Sequence, residues 1–338
     1  MKGDFSFDVG GTRTDVVFGA PLEPADSLRV FDVTTHHLFG AGVERWVAIP
    51  AGEPAKCWKS VESVLEKCAS LGLGRDGAVV GMGGGVVCDV AAFAASLYMR
   101  GCGLVLVPTT LLAMVDASLG GKAGIDFMGF KNLVGTFYPA SRIYVDVSFL
   151  RSLPAREYTS GLAEVIKTAL IGDRELFSLL EGSSAEVMAR EPAVLEEMIR
   201  RCIAVKGRIV QEDPRETGLR AVLNLGHTFG HALESATRFS GWTHGEAVAW
   251  GIGRALSAGV HLGLTEAVFR DRVQSLLLLY GFRLEAGTRF DELAPAFERD
   301  KKKRQGRVRL VIPRGLCDVV LQEVSGGDLA AALAKDMM

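Results

Sequence analysis

The chain has 338 residues, 48% hydrophobic and 23% charged, which suits one large or two medium globular domains with ample core. A formal net charge of −2 excludes bulk attraction to nucleic acid or to an anionic membrane, so affinity for anionic ligands must come from local clusters. No run reaches the roughly 18 apolar residues of a membrane span, no signal-peptide pattern is visible, and the six cysteines are scattered without a C-x-x-C pair. A disulfide framework or a cysteine zinc site is therefore not expected, and a reducing cytoplasm is.

The first element is FSFDVGGTRTDVVFG, residues 5–19. A short apolar strand followed by an acidic residue, a Gly pair and hydroxyls resembles the phosphate hairpin of actin-like sugar kinases. The same residues are also plain hairpin chemistry. A kinase of that kind needs a second phosphate loop and an adenosine motif over two similar domains, and neither is found. The expectation is a truncated β-hairpin at a sheet edge.

Strands are then predicted at Ala78–Gly81, Gly103–Val107 and Arg142–Val147, with helical patterns at Trp58–Leu71 and Asp89–Tyr98 between them. This alternation predicts an α/β domain with a parallel sheet covered on both faces. Several strands end in Gly, Pro or Thr, where such folds place ligand loops. The texture changes at Ser152-Leu153-Pro154. From Glu157 to about Thr237, and again from Glu246 to about Tyr280, it is mostly helical. The predicted domains are residues 1–152 and 153–338. A short strand at Arg307–Ile312 and a last helix at Gly327–Lys335 complete the chain, with no internal repeat.

Residues 79–89, VVGMGGGVVCD, run from an apolar strand through Gly83-Gly84-Gly85 into a helical stretch. Consecutive glycines allow close backbone approach to a phosphate, and the following helix offers its positive end. The stretch is not G-x-G-x-x-G, so the standard dinucleotide fingerprint is absent, and a tight strand-to-helix turn is the bland alternative. Residues 107–140 interleave Thr109, Thr110, Asp116, Lys122, Lys131 and Asn132 with glycines, which reads as a loop wrapped around a ligand. The alternative is a surface loop with solvated lysines.

Three of the six histidines fall within a short span: His227 and His231 in NLGHTFGHALES, and His244 in WTHGEAV. His227 and His231 are four apart and share a helix face. Glu164 and Lys167, in GLAEVIKTAL, also share one. Two imidazoles and a carboxylate with an open fourth position make a catalytic zinc set, although either histidine of the pair could instead be an acid/base group. The pattern is not H-E-x-x-H, so a zincin protease has no support. His36, His37 and His261 stand apart and read as ordinary residues. The basic run ERDKKKRQGRVRL, residues 298–310, is a solvated turn or the source of one cation for a phosphate.

Taken together, these stretches resemble the 3-dehydroquinate synthase family. The match is ordered: GEPAK (52–56), GMGGGVVCDVAAF (81–93), YMRG (98–101), PTTLLAMVDASLGGKAG (108–124), KNLVGTFYPA (131–140), LPAREYTSGLAEVIK (153–167), GLRAVLNLGHTFGHALE (218–234), HGEAVAWG (244–251) and DKK (300–302). The resemblance implies an N-terminal Rossmann-like nucleotide-binding α/β domain and a mostly α-helical C-terminal metal-binding domain. It implies NAD and one divalent metal, zinc, with cobalt able to use the same ligands. By position, the metal ligands are Glu164, His227 and His244, and His231 is an acid/base or phosphate-contacting group. NAD contacts fall on Asp32, Glu53, Lys56, Gly84, Gly85, Val86, Asp89, Thr109, Thr110, Lys131 and Ser152, with Asp116 and Lys122 close to the cofactor as well. Substrate groups are Asp116, Lys122, Asn132, Lys167, Lys206, Arg220, Asn224 and one of Lys301 and Lys302. Arg100 is placed to reach the neighbouring subunit's site in a homodimer.

The implied substrate is 3-deoxy-D-arabino-heptulosonate 7-phosphate, and the products are 3-dehydroquinate and phosphate. NAD+ takes a hydride from one secondary hydroxyl, phosphate is eliminated, the hydride returns, and an aldol step closes the ring, so no net redox change results. The substrate's own phosphate can take the proton lost in elimination. Two anionic ends on the substrate account for lysines and arginines in a chain of net charge −2. Cys88-Asp89-Val90-Ala91-Ala92-Phe93, Ala123, Asp126 and Ser152 depart from the common family pattern. So does the short N-terminus ahead of Asp32 and the adenosine side of the site. Related cyclases acting on sedoheptulose 7-phosphate, or 2-deoxy-scyllo-inosose synthase, share the scaffold but use substrates without a carboxylate, which Arg220 and Asn224 disfavour. Distant relatives such as glycerol-1-phosphate dehydrogenase would build up NADH. A non-catalytic nucleotide-binding paralogue is the remaining alternative.

Overall fold

A computed structural model of the chain describes residues 4–22, 24–238, 240–288, 292–297 and 307–334. It divides into two compact units, residues 1–153 with 206–215, and residues 154–205 with 216–338. The return of 206–215 to the first unit is a feature the sequence reading did not anticipate.

The first unit is built on strands β1 (Phe5–Val9), β2 (Thr12–Phe18), β3 (Ser27–Asp32), β4 (Trp46–Ile49), β5 (Ala78–Gly83) and β6 (Gly103–Pro108). A separate pair, β7 (Lys122–Phe127) and β8 (Phe130–Phe137), precedes β9 (Arg142–Val145). Seven strands form one sheet in the order β1-β2-β9-β6-β5-β3-β4, parallel except for the β1–β2 hairpin. Residues 5–19 are thus an edge hairpin. Its two turn residues, Gly10 and Gly11, have φ of 63° and 88°, the conformation a two-residue hairpin turn requires.

Alternate residues of the central strands point to opposite faces. Val80, Met82, Val105 and Val107 pack with Phe31 and Tyr144 in one buried cluster. The helix α3 (Gly85–Leu97), reached after α1 (Val33–Phe39) and α2 (Trp58–Ser70), covers the face with Gly81. Most of it is apolar, with Val87, Cys88 and the run from Val90 to Ala95 buried, and Asp89 is its one charged residue. It lies so close that a Cβ on Gly83 would sit 2.5 Å from Val87 Cγ2.

The expected loop over residues 107–140 is corrected. A π-helical turn, Ala113–Ala117, leads into the antiparallel β7–β8 pair. The glycines that read as a loop are partly ladder positions. Gly124 and Gly135 face each other, and a Cβ on Gly135 would meet Ala123 O at 2.2 Å.

The end of α7 (Pro192–Glu212) supplies the returning strip, after α4 (Ala155–Gly172), α5 (Arg174–Gly182) and α6 (Ser184–Met188). Gly207 leaves room for the Phe7 ring, where a Cβ would come within 2.1 Å of Cζ, and Asp8 N donates to Gln211 Oε1 at 3.0 Å.

The second unit is helical, with α8 (His227–Ala236), α9 (His244–His261) and α10 (Ala267–Leu279) following a 3-10 turn, Leu219–Asn224. The predicted strand near residue 307 extends to Gly315 as β10 and pairs with a strand the sequence did not reveal, β11 (Asp318–Ser325). Buried from Ala247 to Gly259, α9 packs against α4, α8, α10 and β10. Close approach is set by glycines. A Cβ on Gly245 would meet Ser160 O of α4 at 1.8 Å, and one on Gly251 would meet Gly226 O, just before α8, at 2.0 Å. Among the described residues no helix is long and apolar enough to cross a membrane.

Candidate functional site

In the second unit, three elements deliver one carboxylate and two imidazoles to a point. Glu164 lies within the buried span of α4 and is 1% exposed. His227 is the first residue of α8 and His244 the first of α9. The start of α9 is fixed by a capping box: Thr243 Oγ1 accepts from Glu246 N at 3.2 Å, and Thr243 N donates to Glu246 Oε2 at 2.7 Å. Both Nε2 atoms come within 3.8 Å of Glu164 Oε1, and the ligand atoms of the three residues lie within 4.8 Å of one another.

The donor set fits a divalent metal on two observations. First, Glu164 Oε1 is buried and accepts no hydrogen bond among the described residues, which is costly unless something else satisfies it. Second, His227 Nδ1 lies 3.3 Å from Leu225 O; donating its proton there leaves a lone pair on the Nε2 that faces the carboxylate. One carboxylate and two imidazoles are a donor set that zinc uses in catalytic sites.

Lys167 and His231 adjoin this point, and Arg220 and Asn224 belong to the same unit. Lys167 forms a buried ion pair with Glu164, one helical turn away on α4. His231 is exposed, its ring 5.3 Å from that of His227 and 6.1 Å from that of His244. Arg220 is 2% exposed in the turn before α8, and Asn224 Nδ2 donates to Glu216 Oε1. Lys301 and Lys302 lie outside the described residues.

The first unit assembles a second cluster. Lys56, 6% exposed, pairs with Asp89 on α3 and donates to Asn132 Oδ1 at 2.5 Å. Burial alone would lower the Lys56 ammonium pKa, yet the Asp89 charge beside it holds it above the ordinary lysine value. Burial raises the Asp89 carboxyl, with Lys56 opposing. Asp126 N donates to Lys56 O at 2.8 Å, and Asp126 Oδ1 accepts from Asn132 N at 2.9 Å. Lys131 Nζ stands 3.5 Å from Glu53 Oε1. Gly84 and Gly85 open α3 opposite Thr110 and Ala117: added Cβ atoms would lie 3.1 Å from Thr110 Cγ2 and 3.4 Å from Ala117 Cβ. Val86 follows in the first turn of the helix. Thr109 is buried, and Thr110 Oγ1 accepts from Ala113 N at 3.2 Å. Lys206, in the strip contributed by α7, donates to Asp116 O and Oδ1 at 2.6 and 2.5 Å.

Four more of the expected residues lie at element ends or on the surface. Asp32 ends β3 as the N-cap of α1, its Oδ1 accepting from Thr35 N at 2.8 Å, a local role for that carboxylate. Ser152 is exposed and donates to Phe149 O at 3.1 Å. Lys122 is exposed at the start of β7. Arg100 is also exposed, and with Met99 it forms two consecutive non-glycine residues in the left-handed region, φ 65° and 50°.

Sequence reading missed Glu234 and Glu216. Glu234 is 4% exposed and its Oε1 lies 3.3 Å from His244 Nδ1. It sits three residues after His231 and seven after His227, so helical spacing alone puts it on their face.

Residues 46–160 match the family described as 3-dehydroquinate synthase N-terminal, and residues 161–303 that described as 3-dehydroquinate synthase C-terminal. A 3-dehydroquinate synthase of Acidithiobacillus ferrooxidans is 44% identical over 284 residues, 81% of this chain and 76% of that protein. The Solibacter usitatus 3-dehydroquinate synthase is 39% identical over 317 residues, 90% of this chain and 88% of its own. Among solved structures, 2-epi-5-epi-valiolone synthase from Streptomyces hygroscopicus subsp. jinggangensis, with NAD+ and Zn2+ bound, superposes with a TM-score of 0.87 at 33% identity, covering 95% of this chain and 96% of that one. A 2-deoxy-scyllo-inosose synthase structure shares the fold, with a TM-score of 0.86 at 24% identity over 98% of this chain and 99% of its own.

Proposed function

The chain belongs to the 3-dehydroquinate synthase family, and from that premise we propose that it converts 3-deoxy-D-arabino-heptulosonate 7-phosphate to 3-dehydroquinate and phosphate, in the cytoplasm, with NAD and one divalent metal. The observation that carries the reading is the convergence of Glu164 Oε1 with the Nε2 atoms of His227 and His244. When bound, NAD supplies a reversible oxidation and the metal a Lewis acid.

The chain's own residues do the rest. Glu164, His227 and His244 hold zinc, and cobalt fits the same ligands. Lys167 sets a positive charge beside the buried Glu164 carboxylate and orients it. His231, exposed beside the ligand rings, moves a proton at the substrate or meets its phosphate. Arg220 faces the substrate carboxylate, where a planar guanidinium binds two oxygens at once. Asn224, oriented by Glu216, donates or accepts at a substrate hydroxyl. In the first unit, Lys56, Asp89, Glu53 and Lys131 form the polar wall of the NAD site, and Gly84, Gly85 and Val86 present backbone N–H groups to its pyrophosphate. Lys122, Asn132, and the Lys206–Asp116 pair contact the substrate. Arg100 serves a second copy of the chain in a homodimer.

The test is phosphate release from the heptulosonate phosphate by metal-loaded protein, with and without NAD, while NADH absorbance is followed. NAD-dependent release without NADH build-up is expected. Steady NADH accumulation would move the protein to the dehydrogenases. The likeness to a valiolone synthase favours one rival, a cyclase acting on sedoheptulose 7-phosphate. Turnover of that sugar alone would establish it, and Arg220 would then need another role.

A further inference from the structure

We infer that Glu234 is a positioning residue that fixes the tautomer and ring orientation of His244 for metal binding; this rests on the metal site proposed above. His244 must present a lone pair on Nε2, the nitrogen 3.8 Å from Glu164 Oε1. A neutral imidazole carries one N–H and one lone pair, so the proton has to reside on Nδ1. Glu234 Oε1 is the acceptor at that nitrogen, 3.3 Å away. His227 meets the same requirement with a backbone carbonyl, Leu225 O, which the chain fixes two residues upstream of the ring. His244 is the first residue of its helix and 31% exposed, and at its Nδ1 the Glu234 carboxylate takes the place that Leu225 O has at His227.

The burial of Glu234 has a physical cost that this role offsets. At 4% exposure the carboxylate is removed from most of its hydration, which is unfavourable without a cationic or donor partner. An imidazole that shares its other nitrogen with a divalent cation is such a partner, because the metal draws electron density from the ring and strengthens the Nδ1 donor. The face of α8 that carries His227 also carries His231 and Glu234, so one helix supplies a ligand and the group that orients the ligand on α9. The rival assignment is a second ion held by His231, Glu234 and His244, whose ligand atoms also lie within 4.8 Å of one another.

The experiment compares full-length wild-type protein with Glu234→Ala and Glu234→Gln. Each is stripped of metal and titrated with zinc against a chromophoric chelator, then with cobalt, whose visible absorption reports ligand geometry. Expected are one zinc per chain throughout, an affinity about 10–100-fold weaker for Glu234→Ala, and an altered cobalt band. Glu234→Gln, whose amide oxygen still accepts from Nδ1, falls between. NAD affinity stays unchanged. Wild-type zinc affinity and cobalt spectrum in Glu234→Ala would overturn the assignment. Two zinc ions in the wild type and one in the variant would overturn it too, making Glu234 a ligand. Absence of zinc and cobalt binding in the wild type would remove the metal site itself, and this inference with it. If Glu234→Ala does not fold, Glu234→Met, close in volume and without an acceptor, takes its place.

Discussion

Gly245→Ala tests whether glycine-mediated contact between α4 and α9 sets the metal geometry. The new methyl would lie 1.8 Å from Ser160 O, 2.5 Å from Ser160 C and 2.7 Å from its Cα, all backbone atoms that no rotamer change can move. An ordinary contact begins near 3.4 Å, so the first turn of α9 must retreat by about 1.6 Å. Gly245 N also donates to Ser160 Oγ at 3.0 Å, and the retreat breaks that bond. His244 precedes this residue, while metal–ligand distances tolerate only about 0.2 Å. We expect a loss of about 1–3 kcal/mol from overpacking, roughly 2–12 °C in the melting temperature of the metal-free protein, and at least about tenfold in zinc affinity. The control is Gly253→Ala on the same helix, where the nearest atoms to an added Cβ are Leu284 Cδ2 at 3.5 Å and Gln274 Nε2 at 3.9 Å. That variant should gain up to about 1 kcal/mol from helix propensity. Equal behaviour of the two variants in thermal melts and chelator competition would refute the reasoning.

His227→Ala should abolish stoichiometric zinc binding, because two remaining ligands hold the ion poorly; metal analysis after gel filtration reads the outcome. Lys56→Ala should destabilise the protein by about 3–5 kcal/mol, since Asp89 is left without its partner, and should weaken NAD binding in calorimetry. The Lys56 contribution is complete at neutral pH and fades only as the pH rises above 10.5 and passes its elevated folded value, so the wild-type advantage in melting temperature should shrink only in that alkaline range. Iodoacetamide at pH 8 should label only Cys57 and Cys317 in the native protein. The other four cysteines are buried, and burial pushes the Cys68 thiol to about 12. Mass spectrometry before and after denaturation checks this, and rapid labelling of Cys68 in the native protein would contradict it.

Much of the first unit was legible because its strands are short apolar runs closed by Gly, Pro or Thr, with helices between them. The β5–α3 step was readable from Gly83-Gly84-Gly85 alone. The β7–β8 pair was not, because Gly124 and Gly135 suggest a loop locally and make sense only when they face each other across a ladder. His227 and Glu164 were found from residue type and ordered motifs, but the convergence with His244 depends on the packing of α4, α8 and α9. Glu234 shows the limit most clearly. Its spacing put it on the right face, yet a glutamate in a helix is so ordinary that only its burial against His244 Nδ1 singles it out. Asp32 illustrates the reverse: an acidic residue ending a strand also has the local alternative of capping the next helix.

The strip of residues 206–215 bears on how the protein is made. Phe7 packs on Gly207, Asp8 bonds Gln211, and Asp116 bonds Lys206, so the first unit draws on side chains translated long after its last sheet strand. At roughly 5–20 residues per second, a ribosome that has finished Leu153 needs several more seconds to reach Arg215, whose synthesis completes the strip. During that interval the edge hairpin and Asp116 wait without these partners. A nascent chain arrested before Lys206 should therefore expose its N-terminal hairpin to protease, and one arrested after Arg215 has cleared the exit tunnel should protect it.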